Sequence, residues 1–139
     1  MNRCWYVVAD ASRARLIEHT EGVDDWADVV DLVHAASRLP AAALASDTAG
    51  SAGHHRRLDP RRREHERFAR EIVERLEAGL AQHRYERLVL IASNPFLGEL
   101  RTQLPEAVDR RVVAVVAHDW TTLPDAALVA KLRTAGAPH

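Results

Sequence analysis

The chain has 139 residues, 47% hydrophobic and 28% charged, with a formal net charge of −1. That length suits one domain, 1–139, able to bury roughly two-thirds of its unfolded surface without disulfides or metal, and the composition excludes a wholly disordered chain. Cys4 is the sole cysteine and Lys131 the sole lysine, which excludes disulfide frameworks, cysteine-rich zinc modules and a Walker-type phosphate loop, and makes a reducing cytoplasm the expected location.

No apolar run approaches the ~18–20 residues of a membrane span, and the amino end enters a strand pattern directly, without a signal-peptide pattern. Residues 4–9 and 14–19 read as strands joined by a turn over Asp10–Arg13, where Asp and Ser are turn formers. Asp28–His34 reads as a third strand, with Asp28, Val30, Leu32 and His34 on one face. A stretch at about 35–59, rich in Ala, Ser, Gly and Pro, has no sustained period and is too long for a routine connection. Asp59-Pro60 then supplies an N-cap and a first-turn proline. Phe68, Ile72, Leu76 and Leu80 follow at four-residue steps, widened by Ala69 and Val73, and predict an amphipathic helix to about His83. Arg87–Ala92 reads as a strand buried on both faces. Asn94-Pro95 opens a second helix through about Leu104, and Val112–Ala117 reads as another buried strand. Thr122 and Asp125 approximate a capping box for a last helix closed near Gly136.

The order β-β-β-α-β-α-β-α predicts an α/β fold, a ribonuclease H-like five-stranded mixed sheet flanked by helices. In that layout the first strand neighbours the fourth and the fourth neighbours the fifth. Their carboxyl ends would gather Asp10, Asn94, His118 and Asp119 at one rim, where α/β sheets usually place a site. A two-metal nuclease needs three or four carboxylates there. Asp10 and Asp119 suit the role, but the fourth strand ends in Ser93-Asn94, and an amide brings no negative charge. Glu71 or Glu74 would contribute only by pointing off the apolar stripe toward the rim. The competing reading makes Asp10 a turn former and Asp119 a loop residue. Among the histidines, adjacent His54 and His55 rarely chelate one ion, and His65 and His118 stand in no zinc-binding spacing. Gly50-Ser51-Ala52-Gly53 lacks the strand-before, helix-after context of a nucleophile elbow. No catalytic residue, metal or cofactor is therefore expected.

The charge is unevenly placed. From His54 to Arg70 there are seven arginines against three acids. His54, His55, Arg56, Arg57, Arg61, Arg62 and Arg63 form the candidate contact for an anion or RNA, because arginine grips phosphate through a planar fork. The competing reading is a solvated helix face, with the arginines paired to Glu64, Glu66, Glu71 and Glu74 at helical spacings. Positive charge at a helix N-terminus opposes the dipole at a cost of ~0.3–1 kcal/mol, which an anionic partner would relieve. Downstream, Phe96, Leu97 and Leu100 read as a packing face, with Gly98 letting the helix approach the sheet. Trp5 and Trp120 read as core-edge aromatics.

Four runs resemble a known family: Trp5-Tyr-Val-Val-Ala-Asp10-Ala-Ser-Arg-Ala-Arg15, His65-Glu-Arg-Phe68-Ala-Arg70-Glu-Ile, Pro95-Phe-Leu-Gly98-Glu-Leu-Arg101 and His118-Asp119-Trp-Thr121. Together, and in order, they look like the bacterial host attachment protein family, described as required for attachment to host cells. That family is similar in fold to the central domain of eukaryotic and archaeal peptide release factors, where a Gly-Gly-Gln loop precedes a long helix bearing an Arg-Phe-x-Arg-type motif and reaches into the ribosome to hydrolyse peptidyl-tRNA. The chain keeps the plan of Gly50–His55 followed by Arg67-Phe68-Ala69-Arg70. It departs where the glycines and glutamine belong, with Ala52-Gly53-His54-His55 there and Gln82 and Gln103 elsewhere. The resemblance implies the scaffold and an RNA-facing surface, not the hydrolysis. The expected function is a non-enzymatic cytoplasmic interaction protein with a protein or an RNA/ribosome partner. The alternatives are RNA or ribosome binding with residual peptidyl-tRNA hydrolysis, and a metal-dependent ribonuclease H-like nuclease. A homo-oligomer is compatible with the sequence.

Overall fold

The computed structural model describes residues 2–33 and 60–135. Three strands come first: β1 (Arg3–Ala9), β2 (Arg13–Thr20) and β3 (Trp26–Val33). A helix, α1 (Pro60–Ala81), leads to β4 (Arg87–Ile91), then α2 (Phe96–Thr102) and α3 (Glu106–Asp109). The chain continues through β5 (Val112–Val116) into α4 (Asp125–Ala135). The expected loop at 35–59, with His54, His55, Arg56, Arg57 and the Asp59 cap, lies outside the described residues, as do His34 and Gly136.

The five strands form one mixed sheet in the order β3-β2-β1-β4-β5. β1–β2 and β2–β3 are antiparallel, whereas β1–β4 and β4–β5 are parallel. The expected neighbours, first strand beside fourth and fourth beside fifth, are those observed. β1 and β4 lie inside the sheet and are covered on both sides, which is why both are near-continuous apolar runs.

Alternation along the strands divides the core in two. Trp5, Val7, Ala14, Leu16, Leu88 and Leu90 face α1, α2 and α3, packing on Phe68, Ile72, Leu76, Phe96, Leu100 and Val108. Cys4, Tyr6, Val8, Ile17, Val89 and Ile91 face α4, packing on Leu128 and Leu132. The predicted α1 stripe is the buried one: Phe68, Ala69, Ile72, Val73 and Leu76 are covered, and Leu80 packs at its edge. No helix among the described residues is long and apolar enough to cross a membrane.

Four expectations are corrected. Val112–Ala117 is an edge strand instead of a buried one, because among the described residues no further strand or helix covers Val113 and Val115. The last helix starts at Asp125, so Thr122 lies in a turn and not at its N-cap. The second helix stops at Thr102, and the short α3 follows Pro105. In β3, a bulge opposite Leu16 and Ile17 sets Asp28 against Ile17 and Val30 against Leu16. Asp28 therefore faces away from Val30 and Leu32, on the side where Arg15 lies.

Candidate functional site

Two groups of polar side chains stand out. The first is a cleft of about 730 Å³ between the first turns of α1 and the start of α2, lined by Arg61, Arg62 and His65 on one side and Asn94, Pro95, Gly98, Glu99 and Thr102 on the other. Its walls are held by contacts across the two helices. Gln103 Nε2 donates to the carbonyl of Glu66 at 2.9 Å and to Glu99 Oε2 at 3.1 Å. Phe96 packs at 5.8 Å from Phe68 and meets the edge of His65 at 6.0 Å. These contacts fix α1 against α2 and leave the polar ends of Arg61, Arg62 and Asn94 over the gap.

The electrostatics of the cleft follow from its lining. Two guanidinium groups and an amide supply N–H donors, and Glu99 is the one acid among the described lining residues. The first turn of α1 carries no acidic residue, so the partial positive charge of the helix terminus adds to that of the arginines. Pairs expected of a self-neutralised helix face are present. Arg67 pairs with Glu64 at 3.0 Å, while Arg62 Nε lies 3.9 Å from Glu66. The long Arg62–Glu66 contact, with an exposed guanidinium, contributes about 0–1 kcal/mol. Glu71 and Glu74 are exposed on α1, and Arg63 does not line the cleft.

The second group lies at the carboxyl rim of β1 and β5. The backbone N–H groups of Ser12 and Arg13 donate to Asp10 Oδ1 at 2.7 and 2.9 Å, which makes Asp10 the anchor of the β1–β2 turn. Thr121 Oγ1 lies 3.0 Å from Asp10 Oδ2 and 2.5 Å from Asp119 Oδ1, and the Thr121 N–H donates to Asp119 at 2.9 Å. A hydroxyl has one hydrogen and serves one carboxylate at a time, the other acid relying on its backbone donors. Arg13 donates to the Thr121 carbonyl at 3.0 Å, beside a small cavity of about 220 Å³.

The expected rim site is thus divided. Asp10 and Asp119 come together through Thr121, Asn94 faces the cleft with Arg61 and Arg62, and His118 is exposed at the end of β5. Among the described residues no three His, Cys, Asp or Glu side chains are placed to hold a metal ion. The profile of a family described as "protein required for attachment to host cells" matches residues 5–132. The chain belongs to this host attachment family. No curated relative matches the chain. In this member of the host attachment family, the four quoted runs contribute Asp10, Arg13, His65, Pro95, Gly98, Glu99, Asp119 and Thr121 to the two groups.

Some participants were not singled out as site residues by the sequence reasoning. Thr102 and Gln103 act only through α1–α2 packing, and Thr121 acquires partners only when β1 and β5 end at the same rim. Gly98 has a different role from the expected one: a Cβ there would meet only Asn94 Oδ1, at an ordinary 3.5 Å. It is cleft lining and not a point of close approach to the sheet. Trp5 is fully inside the core, whereas Trp120 is half-buried at the edge of the α4-side cluster, with Lys131 Nζ 5.4 Å above its ring.

Proposed function

We propose that the protein is a non-enzymatic interaction module that docks an anionic partner at the arginine-bearing start of α1. The observation carrying this reading is the cleft itself, with Arg61, Arg62 and His65 facing Asn94 across a gap large enough for a ligand group. Planar guanidinium forks beside a helix terminus favour negative charge. Among the described residues the rim gathers two carboxylates, short of the three or four that a two-metal nuclease uses, and the cleft supports binding better than cleavage.

The strand order, three antiparallel strands followed by two parallel ones, supports a ribonuclease H-like assignment. Likeness to the release-factor central domain is supported by the placement of Arg67-Phe68-Ala69-Arg70 on a long helix, with Phe68 buried and both arginines exposed. That likeness favours RNA or the ribosome as the second reading of the partner. A cytoplasmic location is supported by the free, buried Cys4.

The test is a pull-down from native lysate with wild-type protein and the Arg61→Glu/Arg62→Glu variant, each with and without ribonuclease. A captured partner lost in the variant supports the cleft, and equal capture by both proteins overturns it. Capture abolished by ribonuclease assigns an RNA partner; capture resistant to it assigns a protein.

A further inference from the structure

Two glycines sit in helices among the described residues, and their surroundings differ. Gly79 is required by packing, since a Cβ there would run into the ring of Trp5. Gly98 has no such reason: a Cβ would meet only Asn94 Oδ1, at 3.5 Å, and its φ is not in the left-handed region. A helical glycine costs up to about 1 kcal/mol relative to alanine. What Gly98 leaves in return is bare backbone on the α2 wall of the cleft, which a flat group can approach closely. Glu99, beside it, is a second feature that an anion alone does not explain. A carboxylate opposite Arg61 and Arg62 penalises a ligand that is negative throughout. It is also held in place, because Gln103 Nε2 donates both to Glu99 Oε2 at 3.1 Å and to the Glu66 carbonyl at 2.9 Å. An ionised carboxylate has about four acceptor positions, so this contact leaves most of them for the N–H groups of a ligand.

Resting on the anion-docking reading of the cleft, we propose that its ligand is a guanine nucleotide, with the phosphate at Arg61 and Arg62 and the base on the α2 wall. The guanidinium forks take the phosphate. The planar base lies against the backbone at Gly98, where a side chain would stand in its way. Guanine carries two neighbouring donors, N1–H and the exocyclic amine, which match the two oxygens of the Glu99 carboxylate. Beside them its O6 is an acceptor and suits the N–H of the Asn94 amide. Adenine turns a ring acceptor toward the carboxylate, and uracil has no amine, so the fixed acid that rejects a wholly anionic ligand also selects among bases. The cleft, about 730 Å³, lies within the roughly 300–1,000 Å³ of ligand pockets. A free nucleotide and the 5′ end of an RNA strand present the same chemistry to it.

Calorimetric titration of the full chain with guanosine 5′-monophosphate, inosine 5′-monophosphate and inorganic phosphate tests the assignment. The inosine nucleotide lacks only the exocyclic amine. The guanosine nucleotide is expected to bind about tenfold more tightly than it, and both more tightly than phosphate. Gly98→Ala should weaken the guanosine nucleotide by about tenfold or more while its Tm holds or rises, a combination that a packing role for Gly98 would not give. Glu99→Gln should reduce the preference for guanosine over inosine. A guanosine nucleotide that does not bind by about 1 mM, or binds no better than the inosine one, overturns the proposal, as does a Gly98→Ala variant that binds it like wild type. A short RNA with a 5′-terminal guanylate, titrated in parallel, separates the sources. Tighter binding of the RNA assigns a strand end and weaker binding a free nucleotide, and either supports the guanine site. If the guanosine nucleotide fails while Arg61→Glu/Arg62→Glu still loses its partner in the pull-down, the nucleotide falls and anion docking stands.

Discussion

Gly79 lies on the buried face of α1, where a Cβ would stand 2.5 and 2.7 Å from the outer ring of Trp5 and 3.2 Å from Tyr85. Neither ring is free to withdraw. Trp5 Nε1 donates to Glu18 at 3.0 Å, the Tyr85 hydroxyl donates to the Leu76 carbonyl at 2.6 Å, and the two rings pack at 4.7 Å. Gly79→Ala gains up to about 1 kcal/mol in helix propensity, but overpacking against pinned side chains costs about 1–3 kcal/mol. The variant should be destabilised by about 1–2 kcal/mol and melt several degrees lower in a calorimetric scan; an unchanged or higher Tm would show that the rings yield. The sequence alone drew attention to Gly98, which opens a helix beside a strand, and passed over Gly79. The need for glycine at 79 arises from a ring delivered by β1, far away in the chain, so no local pattern records it.

At the scale of elements, α1 was the most legible because its apolar stripe repeats over several turns, and its burial from Phe68 to Gly79 dominates any local preference. Its carboxyl end follows a rule the sequence partly conceals. The Arg84 N–H donates to the Gly79 carbonyl at 2.8 Å and the His83 N–H to that of Leu80 at 3.0 Å, with His83 at a φ of 57°. This is the Schellman arrangement, which usually places glycine at that left-handed position. The Arg3 guanidinium also donates to the His83 carbonyl, tying the helix end to β1. A side chain in the left-handed region costs roughly 1–2 kcal/mol, offset in part by the added chain entropy of glycine when unfolded. His83→Gly should therefore raise stability by about 0.5 kcal/mol in urea titrations, and a loss of stability would contradict the cap. Other elements were less legible. α3 has too few residues to carry a period, and β5 reads as buried because a run of valines is apolar wherever it sits. Whether such a run is central or at an edge depends on the number of strands beyond it, which is a property of the sheet.

At the scale of the molecule, the phenols and the thiol of the core make stability depend on pH. Burial pushes Tyr85 up to about 12 on the α1 side of the sheet, and burial also raises Tyr6 and Cys4 on the α4 side. A raised acid holds its proton longer in the folded chain than in the unfolded one. Above the ordinary values of 9.0 for the thiol and 10.0 for the phenols, the unfolded state binds fewer protons, so stability falls as pH rises. Urea unfolding should give a free energy that falls progressively between about pH 9 and 12. Tyr85→Phe should lose about 1 kcal/mol at neutral pH with its hydrogen bond, yet show a shallower decline above pH 10. A decline as steep as that of wild type would mean Tyr85 does not contribute to it.

The order of the five strands, the stripe of α1 and the both-faced burial of β4 were determined by the sequence itself, since apolar periodicity and turn chemistry act between residues close along the chain. Membership of the host attachment family was legible for the same reason, being carried by runs of contiguous residues. Tertiary structure alone decided that Asn94 parts from Asp10 and Asp119 to join Arg61 and Arg62, and that Thr121 links the two acids. It also decided which valine strand is covered and which glycine must stay small. Each of these depends on the distance between elements remote in sequence, set by how sheet and helices pack once every face has found its partner.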